Sequence, residues 1–115
     1  MIGGMRTQPN EQRCGSMIEQ HELDIPPCCP VTKNPQQGSV IKIKYRPRKT
    51  ILEVQELEKY IHEYVGGRLD VRSMEGMVQN IAQDCAKTLG VKVKVTAKLF
   101  LIPKQRMKLQ CIAWP

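Results

Sequence analysis

The sequence predicts an α+β domain in which an antiparallel sheet carries two helices on one face. Three segments alternate apolar with charged residues, as strands with one buried face do. Two segments between them repeat apolar residues at three- and four-residue steps, as amphipathic helices do. With residues 19–25 as the first strand, the order is strand, strand, helix, helix, strand, strand, which leaves one sheet face without helices.

The three alternating segments each pair an apolar face with a basic face. Ile41, Ile43 and Tyr45 alternate with basic residues in the first, and the pattern returns in 91–99 and 106–111, with a turn at Pro103 and Lys104. We expect the basic side chains to share the uncovered sheet face, where they contact either solvent or the phosphates of a nucleic acid. They are Lys42, Lys44, Arg46, Lys92, Lys94, Lys98, Arg106 and Lys108.

The helical periods predict a first helix over 53–65 that ends at Gly66 and Gly67. A second, longer helix is predicted to begin at Asp70 or Ser73 and to end at Gly90. Residues 1–18 show no period, so we expect a flexible N-terminal tail followed by a single domain over 19–115.

Composition limits the class of protein. In 115 residues the core is small, so self-association is expected. No apolar run reaches signal-peptide or membrane-span length, which predicts a cytoplasmic protein. Five cysteines without C-x-x-C spacing and two histidines predict neither a structural metal site nor a disulfide framework.

The net charge of +7 is concentrated in two segments. Residues 38–51 carry five basic side chains and residues 91–115 carry six, in both cases without an acid. The rest of the chain has the other 7 of the 18 basic residues and all 11 acidic residues, so its net charge is −4. Such segregation favours an anionic partner.

The segment HELDIPPCCPVTKNPQQGSVIKIKYRP contains Cys-Pro-Val-Thr before a strand, and this resembles the nucleophile motif of the QueF nitrile reductases. The resemblance covers about residues 20–115. It implies a tunnel fold (ββααββ), in which chains assemble into rings that close a barrel, here expected as two stacked rings in a decamer. The positions that match the family's functional residues are Cys29, Pro35, Gln36, Glu53 and Glu75.

The resemblance implies a role for each of these positions. Cys29 is the expected nucleophile, and a thiolate suits a weakly electrophilic nitrile. Glu75 and Glu53 are expected to bind substrate, with Glu75 accepting hydrogen bonds from the pyrimidine edge of a guanine-like base. Without the motif, Cys28 and Cys29 would be ordinary packed cysteines, and Glu75 would simply favour the start of a helix.

Three departures from the reductase pattern remove what reduction needs. The NADPH-binding motif Glu-Ser-Lys-Ser-Leu-Lys is replaced by Glu-Val-Gln-Glu-Leu-Glu at residues 53–58, so both lysines are lost, to Gln55 and Glu58. Gln36 stands where the family has a proton-handling Asp, and Met74 replaces a His. The proton donor is therefore unassigned, and the titratable residues just upstream of Cys29 are candidates by proximity only: His21, Glu22 and Asp24.

What remains resembles the QueF-like archaeosine synthases, which are amidinotransferases. We therefore expect Cys29 to form a thioimide with 7-cyano-7-deazaguanine in tRNA, and ammonia, as co-substrate, to release the amidine of archaeosine without NADPH or metal. The residues expected to contact RNA are Lys42, Lys44, Arg46, Lys92 and Lys94. The alternatives are an NADPH-dependent nitrile reductase, a metal-dependent cyclohydrolase of the GTP type, and a non-enzymatic basic RNA-binding module.

Overall fold

A computed structural model describes residues 5–13, 15–29, 31, 33–65, 71 and 73–115. The α+β class is confirmed, with two helices, a four-stranded antiparallel sheet and a two-stranded antiparallel sheet. In chain order the elements are β1 (Thr7–Pro9), β2 (Glu19–Asp24), β3 (Val40–Tyr45), β4 (Thr50–Leu52), α1 (Val54–His62), α2 (Met74–Leu89), β5 (Val93–Leu101) and β6 (Gln105–Ala113).

The larger sheet has the strand order β2-β3-β5-β6, so β2 and β6 are its outer strands. Ile43 lies opposite Val95, which in turn lies opposite Cys111, and this register places the apolar residues of neighbouring strands on one face. Lys44 lies opposite Lys94 on the other face. The predicted alternation of an apolar and a basic face is therefore confirmed for this sheet.

The helices begin and end at recognisable capping residues. The Ser73 hydroxyl accepts from the Gly76 N–H at 2.9 Å at the start of α2, and Gly90 ends it in the left-handed conformation with φ 69°. Asp70, Gly66 and Gly67, which the sequence offered as further helix ends, lie outside the described residues. The first helix, α1, ends at His62, three residues earlier than predicted.

One hydrophobic core lies between the helices and the apolar face of the larger sheet. Ile41, Ile43 and Val95 are completely buried and belong to the same cluster as the inward residues of both helices. A polar network joins α1 to α2 inside this layer. The Tyr60 hydroxyl donates to Asp84 at 2.6 Å and Asn80 donates to the Tyr64 hydroxyl at 2.6 Å, so the buried polar groups have partners.

The smaller sheet, β1 with β4, includes part of the segment over 1–18 that the sequence predicts as a flexible tail. Thr7 pairs with Leu52 and Pro9 with Thr50, so part of the predicted tail forms a strand. A three-residue strand is too short to show a period of two. Pro9 also argues against a strand, because proline is uncommon within strands. The tunnel fold, the ring assembly and the division of the chain at residue 18 stay predictions.

Candidate functional site

Cys29 lies in the loop between β2 and β3, on a tight turn of backbone. The Lys33 N–H donates to the Cys29 carbonyl at 2.8 Å, and the Asn34 carbonyl accepts from the N–H groups of both Cys28 and Cys29, at 2.9 and 3.0 Å. Lys33 adopts a left-handed conformation with φ 61° at the turn. Pro30 and Thr32 of the Cys-Pro-Val-Thr motif lie outside the described residues.

The same loop is attached to the end of β5. The Asn34 side-chain oxygen accepts from the Ile102 N–H at 2.9 Å, and the Gln36 N–H donates to the Phe100 carbonyl at 2.7 Å. The Ser39 hydroxyl accepts from the Phe100 N–H at 2.9 Å, and Ser39 itself is only 1% exposed. These bonds reach 61 to 68 residues along the chain, so they fix the loop to the sheet.

The described cysteines differ in accessibility, and none of them is disulfide-bonded. Cys29 and Cys28 are partly buried, whereas Cys85 is completely buried. Burial raises the pKa of Cys28, whose thiol donates to the Pro26 carbonyl at 3.2 Å. Burial raises the pKa of Cys85 to about 12. Cys28 and Cys85 are therefore poorer nucleophiles at neutral pH than a free cysteine.

Gln36 lies on the Cys29 loop, as the sequence predicts. Its side-chain amide donates to the Lys33 carbonyl at 2.8 Å and approaches the Asn34 side-chain oxygen at 3.3 Å. The amide therefore stabilises the turn that holds Cys29. A glutamine has no titratable proton, so its role here is positional.

Glu75 is exposed in the first turn of α2, beside the outer strand β6. It lines a groove of about 370 Å³ together with Gln79, Gln110 and Cys111. A carboxylate and amides around a small groove suit recognition of a base edge. No local pattern indicates that Cys111 lies near Glu75, because the packing of α2 against β6 brings the two residues to one groove.

Glu53 has a structural role that the sequence did not predict. Its carboxylate caps α1, accepting from the N–H groups of Gln55 at 3.0 Å and Glu56 at 2.9 Å. Ser, Thr, Asp and Asn are the usual N-cap residues, so a glutamate at position 53 did not predict a helix cap. A ligand at Glu53 would compete with these two amides, and substrate binding by Glu53 stays a prediction.

The three proton-donor candidates have different surroundings. His21 contacts the Glu19 carboxylate at 2.5 Å and stacks against Tyr45, with ring centroids 6.4 Å apart, on the sheet face that Ile43 also occupies. Glu22 pairs with Lys42 at 3.6 Å. Asp24 is exposed at the last position of β2, so it is the nearest of the three to Cys29 along the chain.

The predicted site residues therefore lie in several separate places. Cys29 and Gln36 share one loop, whereas Glu75 lies in the groove along β6, and no contact recorded for the described part of the chain joins Cys29 to Glu75. Four of the five residues predicted to contact RNA line a cleft at the other end of the sheet: Lys44, Arg46, Lys92 and Lys94. The fifth, Lys42, pairs with Glu22 outside this cleft.

Over the described ranges, no group of three or more metal-ligating side chains occurs, and no helix there is long and apolar enough to cross a membrane. A scan against protein-family models gives no match, and a search of curated proteins gives none either. The function is therefore inferred from the chain's own residues and from the motif resemblance.

Proposed function

We propose that this protein is a tRNA-modifying amidinotransferase that converts the nitrile of 7-cyano-7-deazaguanine into the amidine of archaeosine. The observation that carries the proposal is the setting of Cys29, a partly buried thiol on a loop that is hydrogen-bonded to the end of β5. A nucleophile requires this combination of access and fixed position. The motif resemblance identifies the nitrile as its target.

The reaction has two steps that balance without an oxidant or reductant. The Cys29 sulfur bonds to the nitrile carbon, one carbon–nitrogen π bond breaks, and the nitrogen takes a proton to give a thioimide. Ammonia then bonds to the same carbon, the carbon–sulfur bond breaks, and sulfur leaves with its electron pair while a proton passes from the ammonia nitrogen to the thiolate. The sum is nitrile plus ammonia giving amidine, so NADPH has no part in the reaction.

The surroundings of Cys29 narrow the choice of proton donor. Gln36 cannot titrate, His21 faces the apolar side of the sheet with Glu19 as its partner, and Glu22 is paired with Lys42. Asp24 is exposed at the end of β2 where the Cys29 loop begins. We therefore assign proton transfer to Asp24, directly or through water. Asp24→Asn is expected to lower kcat strongly while tRNA affinity is retained.

We infer that base recognition by Glu75 uses a second copy of the chain. Glu75 lies beside the outer strand β6, and no contact recorded among the described residues joins it to the Cys29 loop, which is attached to the end of β5. A site formed between neighbouring chains would bring the two together, as the resemblance implies. Mixing inactive Cys29→Ala and Glu75→Gln chains would then restore part of the activity, whereas sites contained within one chain would give no recovery.

The primary test is nucleoside mass spectrometry of nitrile-bearing tRNA after incubation with the protein and either ammonium or NADPH. The proposal predicts an amidine with ammonium, none with Cys29→Ala, and no amine with NADPH. An amine with NADPH would establish the reductase instead, despite Gln55 and Glu58. Thermal protection by NADPH would point the same way.

A non-enzymatic RNA-binding module is the second candidate, and the basic cleft at the far end of the sheet favours it. It predicts that tRNA is bound but unchanged with either ammonium or NADPH. In that case Cys29→Ala would alter neither tRNA affinity nor any other measured property.

A further inference from the structure

A cleft of about 690 Å³ opens at the end of the larger sheet opposite the Cys29 loop. Ile18, Val91 and Ile112 contribute apolar surface to it. Within the described part of the chain, no acidic side chain lines it. Five basic side chains do: Lys44, Arg46, Arg48, Lys92 and Lys94.

Among the described residues, no ion pair involves the basic side chains of this cleft. Lys44 lies directly opposite Lys94 in the β3–β5 register, an arrangement of like charges that destabilises a sheet. Other cations are paired, including Lys42 with Glu22 and Arg6 with Glu56. The ion pairs recorded among described residues include none of the five cleft cations. An anionic occupant would remove the repulsion.

The N-terminal segment, residues 10–13 and 15–18, extends the basic surface beyond the cleft. A groove of about 340 Å³ lies next to it and is lined by residues that include Arg13, Met17 and Arg48, and Arg48 also belongs to the cleft. The segment is held in place because the Asn10 side chain donates to the Arg48 carbonyl at 2.9 Å, and Arg46 donates to the Ser16 hydroxyl at 3.0 Å. Residues 10–13 and 15–18 therefore include side chains that line both depressions.

We propose that the cleft and the groove together bind the phosphodiester backbone of an RNA, with Arg48 at their junction. Charge complementarity supports a polyanion, and two adjoining basic depressions suit an extended chain of phosphates better than a single anion. The choice of RNA rests on the proposed function. Ser39 and Arg46 lie seven residue steps apart along largely extended chain, about 23 Å, so the cleft lies at the opposite end of β3 from the attachment of the Cys29 loop.

Fluorescence anisotropy with an end-labelled, unmodified tRNA transcript tests the proposal across a range of salt concentrations. Each lost phosphate contact lowers the slope of log affinity against log salt by about 0.7 to 0.9, and the affinity at 0.1 M salt by about five- to eightfold. Arg48→Gln is expected to show one such loss. The double variant Lys44→Gln/Lys94→Gln is expected to show two, or about 25- to 60-fold.

The matched control is Lys87→Gln, which removes an exposed charge from the last turn of α2 and is expected to leave the affinity unchanged. The double variant is also expected to melt no lower than wild type, because it removes like-charge repulsion. Unchanged affinity in Arg48→Gln and the double variant, an equal loss in Lys87→Gln, or absence of RNA binding by the wild type would overturn the proposal. Equal competition by polyglutamate of matched charge would overturn the choice of RNA.

The binding assay uses RNA without a nitrile, so it does not depend on catalysis. Cleft-dependent RNA binding by a protein that forms no amidine would overturn the proposed function and leave the cleft assignment standing. If the cleft variants bind tRNA with unchanged affinity and still form the amidine, the cleft assignment would be overturned and the proposed function would stand.

Discussion

Ser39→Ala tests whether the Cys29 loop is held by its attachment to β5. The substitution keeps both backbone bonds of Ser39, from Ser39 N–H to the Gln36 carbonyl and from Ile25 N–H to the Ser39 carbonyl. It removes only the hydroxyl that accepts from the Phe100 N–H at 2.9 Å. A partly buried N–H left without an acceptor costs about 1–2 kcal/mol.

The expected change in melting temperature follows from the chain length. An unfolding entropy of about 2.1 cal/mol/K per residue gives roughly 0.24 kcal/mol/K for 115 residues, so 1–2 kcal/mol corresponds to about 4–8 °C. Differential scanning calorimetry measures this shift. The rate of Cys29 alkylation, monitored by peptide mass spectrometry, is expected to differ between Ser39→Ala and wild type because the loop loses its attachment.

The matched control is Thr88→Ala, which removes an exposed hydroxyl from α2 and is expected to shift the melting temperature by less than about 2 °C. If Ser39→Ala melts within about 1 °C of wild type and alkylates Cys29 at the same rate, the hydroxyl does not hold the loop. Cys29 would then not be held in a fixed position by this attachment.

Two further predictions concern the buried core. Burial raises the pKa of Cys85 from 9.0 to about 12, so above pH 9 the native state keeps a proton that the unfolded state loses. The contribution of Cys85 to stability is therefore complete below pH 9. It falls as pH rises above 9, by up to about 1.4 kcal/mol per pH unit. Urea unfolding at pH 8, 9 and 10 should show a smaller decline in Cys85→Ala than in wild type, and parallel declines would contradict the argument. Tyr64→Phe removes the hydroxyl that accepts from the Asn80 amide and that bonds to the Tyr60 hydroxyl, and it is expected to cost about 1–3 kcal/mol. An unchanged urea midpoint would mean that these two bonds add nothing.

The sequence was sufficient for the elements that have a clear period. Ile41 and Lys42 begin an alternation that locates β3 and its two faces, and Ser73 and Gly90 cap α2 with residues that favour those positions. The strands β1 and β4 are three residues each, too short to show such a period. Their pairing joins positions more than 40 residues apart in sequence, which local patterns do not report.

The candidate site was predictable only in part, for a similar reason. The motif around Cys29 is local, so it identified the loop, but the attachment of Asn34 to Ile102 and of Ser39 to Phe100 depends on how the strands pack. Arg48 was also missed. It follows the alternating part of β3, and its place beside the N-terminal segment appears only when that segment folds back onto the turn after β3.

The central claim is that Cys29 itself adds to the nitrile. Nitrile-bearing tRNA incubated with the protein in the absence of ammonium, then separated on a denaturing gel, tests this most directly. The account predicts a covalent protein–RNA species in wild type and in Cys28→Ala, none in Cys29→Ala, and release of amidine-bearing tRNA when ammonium is added. An adduct that survives Cys29→Ala, or one abolished by Cys28→Ala alone, would contradict it.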